Sequence, residues 1–390
     1  SRAGSRLFPQ GAPWPEDGEL TKRYLAAGFV PFGRTTSPEM GISASTEALA
    51  YGGPTRNPWN TDHSAGGSSG GAAAATASGM VTIAHANDGA GSIRIPASAC
   101  GLVGLKPSRG LIPMGPLAGE GWGGLAIDHM VTRSVRDCAA GLDISAGSDG
   151  GAPYAAPTRP RSFVAALADA PRGLRIGLVN HFFEGDPVHP EVAAAIAVFA
   201  GELQRLGHHV EPTTVDFSTV DVVRPVMEVV ATGTAMALQD IARQRGRPIT
   251  PEEVEPVVWG AMQVGGSFSG TDYMRAVTRL HMLGRRMATF HERFDLMLTP
   301  TLAEPPARIG RFAMHNPDFI DYRLGPNGLW RYTPFTPLAN ATGAPSISLP
   351  VGRSSGGLPI GAMLGAMPGE DALLLRVAAQ WEASQDCTTR

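Results

Sequence analysis

Residues 64–109 read SAGGSSGGAAAATASGMVTIAHANDGAGSIRIPASACGLVGLKPSR. Two glycine-embedded serine clusters stand in this stretch, Gly66-Gly67-Ser68-Ser69-Gly70-Gly71 and Asp88-Gly89-Ala90-Gly91-Ser92. An apolar segment long enough for one short helix and one short strand separates them, a spacing that lets the clusters meet in space. Gly89, Ala90 and Gly91 carry almost no side-chain bulk, so consecutive backbone N–H groups can converge into a nest for developing negative charge. A serine closing that nest is placed to attack. The first cluster runs into AAAATASG, whose helix propensity puts Ser68 or Ser69 near a helix N-terminus, where a hydroxyl can relay a proton.

Gly-Ser strings are commonly linkers. A linker does not pass into an apolar segment, an acid, a second glycine nest and then Ile93-Arg94-Ile95-Pro96 without a charged spacer. The string GGSSGG, followed by DGAGSIRIPASACGLVGLKPSRG, resembles the signature of the amidase signature family of serine hydrolases. The resemblance implies an α/β fold with a large mixed central sheet covered by helices on both faces. It implies a single amidase domain over 1–390, in which the helical middle, 185–293, sets specificity. By motif position Ser92 looks like the nucleophile, and Ser68 like the bridging serine that follows an unusual cis peptide. Gly89, Ala90 and Gly91 look like the oxyanion-hole backbone together with Ser92, and Ser69 supports them. Gly41, Ile42 and Ser43 look like the loop lining the substrate cleft. Asp88 and Arg94 flank the nest, so they are expected to pair with one another or with backbone groups that hold the turn. Trp122, in a loop from Leu111, is read as an exposed aromatic and a candidate for the cleft.

The family's base is a lysine several tens of residues before the first cluster, usually in a Lys-Asp pair. A serine hydroxyl needs such a base, and lysine serves only when burial lowers its pKa from about 10.4. This chain has two lysines. Lys22, in ELTKR, reads as the wet face of an amphipathic helix, and Lys106, in GLKP, matches a motif position with a structural role. The expectation is that the native polypeptide extends upstream of Ser1-Arg2-Ala3-Gly4-Ser5 and that the missing part carries the lysine.

Competing constellations are weaker. Gly66-x-Ser68-x-Gly70 fits the elbow of α/β hydrolases, but an elbow follows a buried strand, whereas Asn57-Pro58-Trp59-Asn60-Thr61-Asp62-His63 is a polar turn sequence. His208 and His209 are adjacent and face apart, and the other histidines are dispersed, so no metal site is expected. Cys100, among Ala97, Ala99, Leu102 and Val103, reads as a small buried hydrophobe rather than a thiol nucleophile. The family's tRNA-dependent amidotransferase branch often has glutamine where Ile95 stands here, and an aliphatic residue favours a stand-alone hydrolase. RNPWN and AHANDGAGSIRIPASACG look like the bacterial amidases of the 6-aminohexanoate-cyclic-dimer hydrolase kind and related urethane-cleaving enzymes. An inactive amidase-like binding protein and an amidotransferase subunit remain the alternatives.

The chain has 390 residues, 43 % of them hydrophobic, with a formal net charge of −3, enough apolar material for a core and no basic excess to favour nucleic acid. The uncharged run from Ser64 to Ile83 lacks a long aliphatic block, so no membrane span is expected. Three cysteines, Cys100, Cys138 and Cys387, have no metal-type spacing, and their odd number suits a reducing cytoplasm. The partner expected is a small-molecule amide or carbamate, with no cofactor; a homodimer is the assembly left open.

Periodicity predicts a helix starting near Pro15-Glu16-Asp17 and stopped by Gly28, and a strand at Phe29-Val30-Pro31-Phe32-Gly33. A long ordered loop covers Arg34 to Ser64. Helices follow from Ser134 to Ile144, Pro190 to Leu206, and over 221–245, 251–264, 271–293 and 370–384. Strands are predicted at 174–179, 296–298, 346–349 and 360–364, with a loop from Thr299 to Trp330. Alternation of this kind argues for an α/β layer architecture.

Overall fold

Apolar runs bounded by proline and glycine, such as Leu296–Pro300 and Pro359–Gly365, are buried almost throughout, as strands covered on both faces must be. The computed structural model describes every residue except 1, 9, 12–14, 117 and 386–390, so Ser1 and Cys387 lie outside the described residues. Its frame is an eight-stranded mixed sheet flanked by helices: β1 (Ile83–Asp88), β2 (Val103–Lys106), β3 (Ile127–Thr132), β4 (Arg175–Leu178), β5 (His209–Pro212), β6 (Leu296–Pro300), β7 (Ser346–Arg353) and β8 (Pro359–Gly365). The strand order is β1-β3-β2-β7-β8-β6-β4-β5. Pairing is antiparallel from β1 as far as β6, and parallel between β6, β4 and β5.

The segment between the serine clusters folds as its length suggests, into the helix Gly70–Ala77 and then β1. β1 ends with Asp88 opposite Ile127 of β3, and the 89–93 turn leads directly into the helix Arg94–Cys100. All seven residues of that helix are buried, and it packs against β2, β7 and β8. The loop carrying Ser92 is therefore clamped between a sheet strand and a helix sunk in the core.

The middle region is helical, with Thr219–Arg245, Pro256–Ser267 and Gly270–Arg293. Reciprocal capping boxes at Ser218/Asp221 and Ser269/Asp272 start the two long helices. Ser134 caps Val135–Ser145 by accepting the Asp137 N–H at 3.1 Å. The closing helix is Asp371–Ala383.

Four expectations need correction. Phe29–Gly33 forms no strand: Pro31 removes a ladder donor, no neighbouring strand pairs with it, and Val30 and Phe32 are 80 % and 79 % exposed. The segment 34–64 contains a hairpin, Arg56–Asn57 with Asn60–Ser64, and 299–330 contains the helix Phe319–Leu324, capped by Asp318, and the start of Leu329–Tyr332. Trp122 is half-buried rather than exposed. Among the described residues, no helix is long and apolar enough to cross a membrane.

Candidate active site

The two serine clusters are tied together by backbone: the Ser69 N–H donates to the Ser92 carbonyl at 3.3 Å. The Gly67–Ser68 peptide is cis, as the resemblance implies. Thr46 secures the first cluster, its Oγ1 donating to the Gly66 carbonyl at 2.9 Å and accepting the Gly70 N–H at 3.2 Å. Ser69 Oγ pairs with the backbone of Asn87 at 3.2 Å, linking the first cluster to the end of β1.

Asp88 and Arg94 are fully buried and form a two-pronged ion pair, Nε to Oδ2 and Nη2 to Oδ1, both at 2.9 Å. Burial pushes the Asp88 carboxyl up, but the Arg94 charge and hydrogen bonds, aided by Asn340 and Lys106, outweigh it and hold the carboxyl below its ordinary range. Arg94 also reaches the Thr336 carbonyl at 2.7 Å and Asn340 Oδ1 at 2.6 Å. Both roles expected of Asp88 and Arg94, pairing and holding the turn, are therefore filled.

One consequence changes the oxyanion nest. The sequence reading counts the Gly91 amide among its donors, yet the Gly91 N–H donates to Asp88 Oδ1 at 2.6 Å, and the Ile93 N–H to Oδ2 at 3.1 Å. The carboxylate, a strong acceptor inside the loop, takes the amide first. Gly91 serves the turn in another way. Its φ is +133°, and a Cβ there would stand 2.3 Å from Thr336 Oγ1, so only glycine lets the chain pass and present Ser92. Thr336 Oγ1 in turn donates to the Ala90 carbonyl at 2.8 Å.

Ser92 opens on a cleft that Gly41, Ile42, Ser43, Ala90, Ile95 and Trp122 also line. Gly41 also stands beside the earlier serine: an ideal Cβ added to it would lie 3.6 Å from Ser68 Oγ. Ser68 is 8 % exposed, and among the described residues neither the Ser68 nor the Ser92 hydroxyl has a hydrogen-bond partner. The Trp122 indole is wedged between Gly89 and Gly233, where added Cβ atoms would come within 2.5 Å and 2.7 Å of it. It thus braces the nest against the Thr219–Arg245 helix while walling the cleft.

Neither lysine reaches the serines. Lys22 is half-exposed and pairs with Glu16 at 3.4 Å. Lys106 is buried on β2 and donates to the Pro107 carbonyl at 2.7 Å; burial first, and the Arg94 charge second, push its pKa down to about 7. Cys100 is fully buried in the helix after Ser92, and burial drives its thiol upward. Iodoacetamide is expected to leave Cys100 unmodified in the folded protein, as peptide mass mapping would check; stoichiometric alkylation of Cys100 would overturn its assignment to the core.

Several contributors escaped the sequence reading. Thr336 and Asn340 lie on the helix Thr336–Thr342, where Asn340 Nδ2 bonds Asp88 Oδ1 at 2.9 Å and the Leu125 carbonyl at 3.0 Å. A lone asparagine in the small apolar run TPLANAT was the available signal, since such a residue must find partners once buried. Val230, Arg323, Leu329, Trp330 and Thr333 join the cleft from elements more than a hundred residues from Ser92, and no local pattern marks them.

A family model described as Amidase matches residues 3–375, and the chain belongs to the amidase signature family. It is an amidase-family enzyme, of the group that hydrolyses amide bonds. It is 38 % identical over 384 residues to the 6-aminohexanoate-cyclic-dimer hydrolase of Paenarthrobacter ureafaciens, covering 94 % of this chain and 76 % of that protein. It is 37 % identical over 388 residues to the putative amidase AmiC of Mycobacterium tuberculosis (strain ATCC 25618 / H37Rv), covering 95 % and 75 % of the two chains. A solved structure of a 6-aminohexanoate cyclic dimer hydrolase complexed with substrate superposes with a TM-score of 0.91 at 35 % identity, covering all of this chain and 82 % of that one.

Proposed function

We propose that the chain cleaves small-molecule carboxylic amides, or related lactams, anilides or carbamates, through a seryl acyl-enzyme. Ser92 Oγ attacks the substrate carbonyl, and its proton passes to Ser68, whose own proton moves on to a base. The oxyanion is held by the amides of Gly89, Ala90 and Ser92, the Gly91 amide being engaged by Asp88. One such donor is typically worth about 10²–10³ in rate. Collapse of the tetrahedral intermediate breaks the C–N bond and the leaving nitrogen takes a proton. Water then attacks the acyl carbon, releasing the acid and restoring Ser92.

The observation that carries this reading is the shared cleft. Ser92 and Gly41 line it together, Gly41 stands beside Ser68 so that an added Cβ would lie 3.6 Å from Ser68 Oγ, and both hydroxyls are unengaged among the described residues. The base is assigned to neither Lys22, bound to Glu16 at the surface, nor Lys106, bound to the Pro107 carbonyl. A small-molecule substrate, with no nucleic acid or membrane, accords with the net charge of −3, and free buried thiols at Cys100 and Cys138 accord with a cytoplasmic setting.

Labelling of the native polypeptide with a fluorophosphonate, followed by peptide mapping, tests the reading: the adduct is expected on Ser92. An inert binding protein would not react there. Ser68→Ala is expected to slow both labelling and hydrolysis about 10²–10⁴-fold, the usual range for a lost proton relay. Undiminished labelling in that variant would remove Ser68 from the mechanism.

A further inference from the structure

The cleft beside Ser92 contains a buried cation with no anion. Arg323, on the helix Phe319–Leu324, is 6 % exposed, and among the described residues no carboxylate lies within ion-pairing distance of it. Arg94, the other deeply buried arginine described above, shows what such a group ordinarily requires: a carboxylate gripped by two prongs. Arg323 has instead one hydrogen bond, from Nη2 to the Ile42 carbonyl in the cleft loop. Its Nε is buried without any partner, and Nη1 makes no hydrogen bond among the described residues.

The aromatic surroundings explain how the cation is tolerated, and they leave its donors free. The guanidinium carbon lies 5.0 Å from the Phe319 ring centroid, 5.7 Å from that of Trp330 and 5.9 Å from that of Tyr322. Ring quadrupoles stabilise the charge but accept no conventional hydrogen bond. Burial lowers the Arg323 pKa only to about 10, so the group stays charged at neutral pH.

A second orphan donor lies next to the first. Among the described residues Trp330 Nε1 is also buried without a partner, and Trp330 lines the same cleft as Arg323 and Ser92. Two side chains, one of them cationic, thus bring unsatisfied N–H donors and no acceptor to one cavity. Unpaired buried donors cost free energy, and the guanidinium edge matches a carboxylate. We propose that Arg323 and Trp330 form an anion-binding end of the substrate cleft, and that the amides cleaved here carry a carboxylate. This proposal rests on the amidase reading of Ser92 and names the substrate class for that same site.

The test uses two pairs of substrates, each pair differing only in charge: a dicarboxylic acid monoanilide against its methyl ester, and an N-acylated ω-amino acid against its methyl ester. The first places the carboxylate on the acyl side, the second on the amine side. The native enzyme is expected to favour the carboxylate member of at least one pair by about tenfold or more in kcat/KM, mainly through KM, as a charge-assisted contact of ~1.5–3 kcal/mol would give. Arg323→Met is expected to erase that preference, bringing kcat/KM for the carboxylate member down to that for its methyl ester, and Trp330→Phe to reduce it in part. Equal kcat/KM within both pairs, or a preference that survives in Arg323→Met, would overturn the proposal.

Should Arg323→Met fail to fold, Trp330→Phe and calorimetric titration of Ser92→Ala with the two uncleaved pairs decide the matter. Tighter binding of the carboxylate members supports it, and equal binding defeats it. This arm also separates the two claims, because loss of fluorophosphonate labelling at Ser92 removes the catalytic reading whereas charge-blind binding removes only the anion site.

Discussion

Ser92→Ala is expected to lower kcat/KM for amide hydrolysis by about 10⁴-fold or more, because the hydroxyl proposed to attack the substrate carbonyl is removed. What little remains would reflect donors and binding without a nucleophile. The fold should be indifferent to the change. Ser92 is half-buried, its hydroxyl has no partner among the described residues, and its carbonyl still accepts the Ser69 N–H. A stability change within about 0.5 kcal/mol is therefore expected, of the size seen when no contact is lost. Steady-state kinetics and a urea titration on the same preparation check both halves. Turnover near the unmodified level would refute the nucleophile, whereas loss of activity together with a large loss of stability would make the kinetic result uninterpretable as chemistry.

Arg94→Met is expected to be the most destabilising single substitution at the site. It strands the Asp88 carboxylate in a fully buried position, at a cost of about 3–5 kcal/mol for a broken buried pair. The loss should extend to activity, since the same carboxylate holds the Gly91 and Ile93 amides and so shapes the loop that presents Ser92. A cycle with Asp88→Asn separates pairing from packing. If the pair is the main term, Arg94→Met/Asp88→Asn loses less stability than the sum of the single variants, by an amount beyond measurement error. Strict additivity of the urea midpoints would show that Arg94 acts through its bonds to Thr336 and Asn340 instead.

The serine clusters were legible in the sequence because glycine, serine and a buried acid at fixed spacing have few uses in a folded chain, and these residues are all within thirty positions of one another. The helix Val135–Ser145 was legible for a similar reason: Ser134 satisfies an amide three residues on. The strand read at Phe29–Gly33 failed because a local pattern cannot supply a pairing partner. β2 and β3 gave little signal because Lys106, His129 and Thr132 are polar yet buried, which only their neighbours make tolerable.

The sequence by itself determined that the two serine clusters and a small-residue turn would come together, since short-range spacing and steric bulk suffice for that. Tertiary structure alone decided that the Gly91 amide is engaged, because the carboxylate that takes it is locked by an arginine and an asparagine 252 residues away. It also decided what lines the cleft beyond the serine: Arg323 and Trp330 reach it through the packing of distant helices, and whether a buried charge has a partner is a property of the assembled site that no linear pattern records.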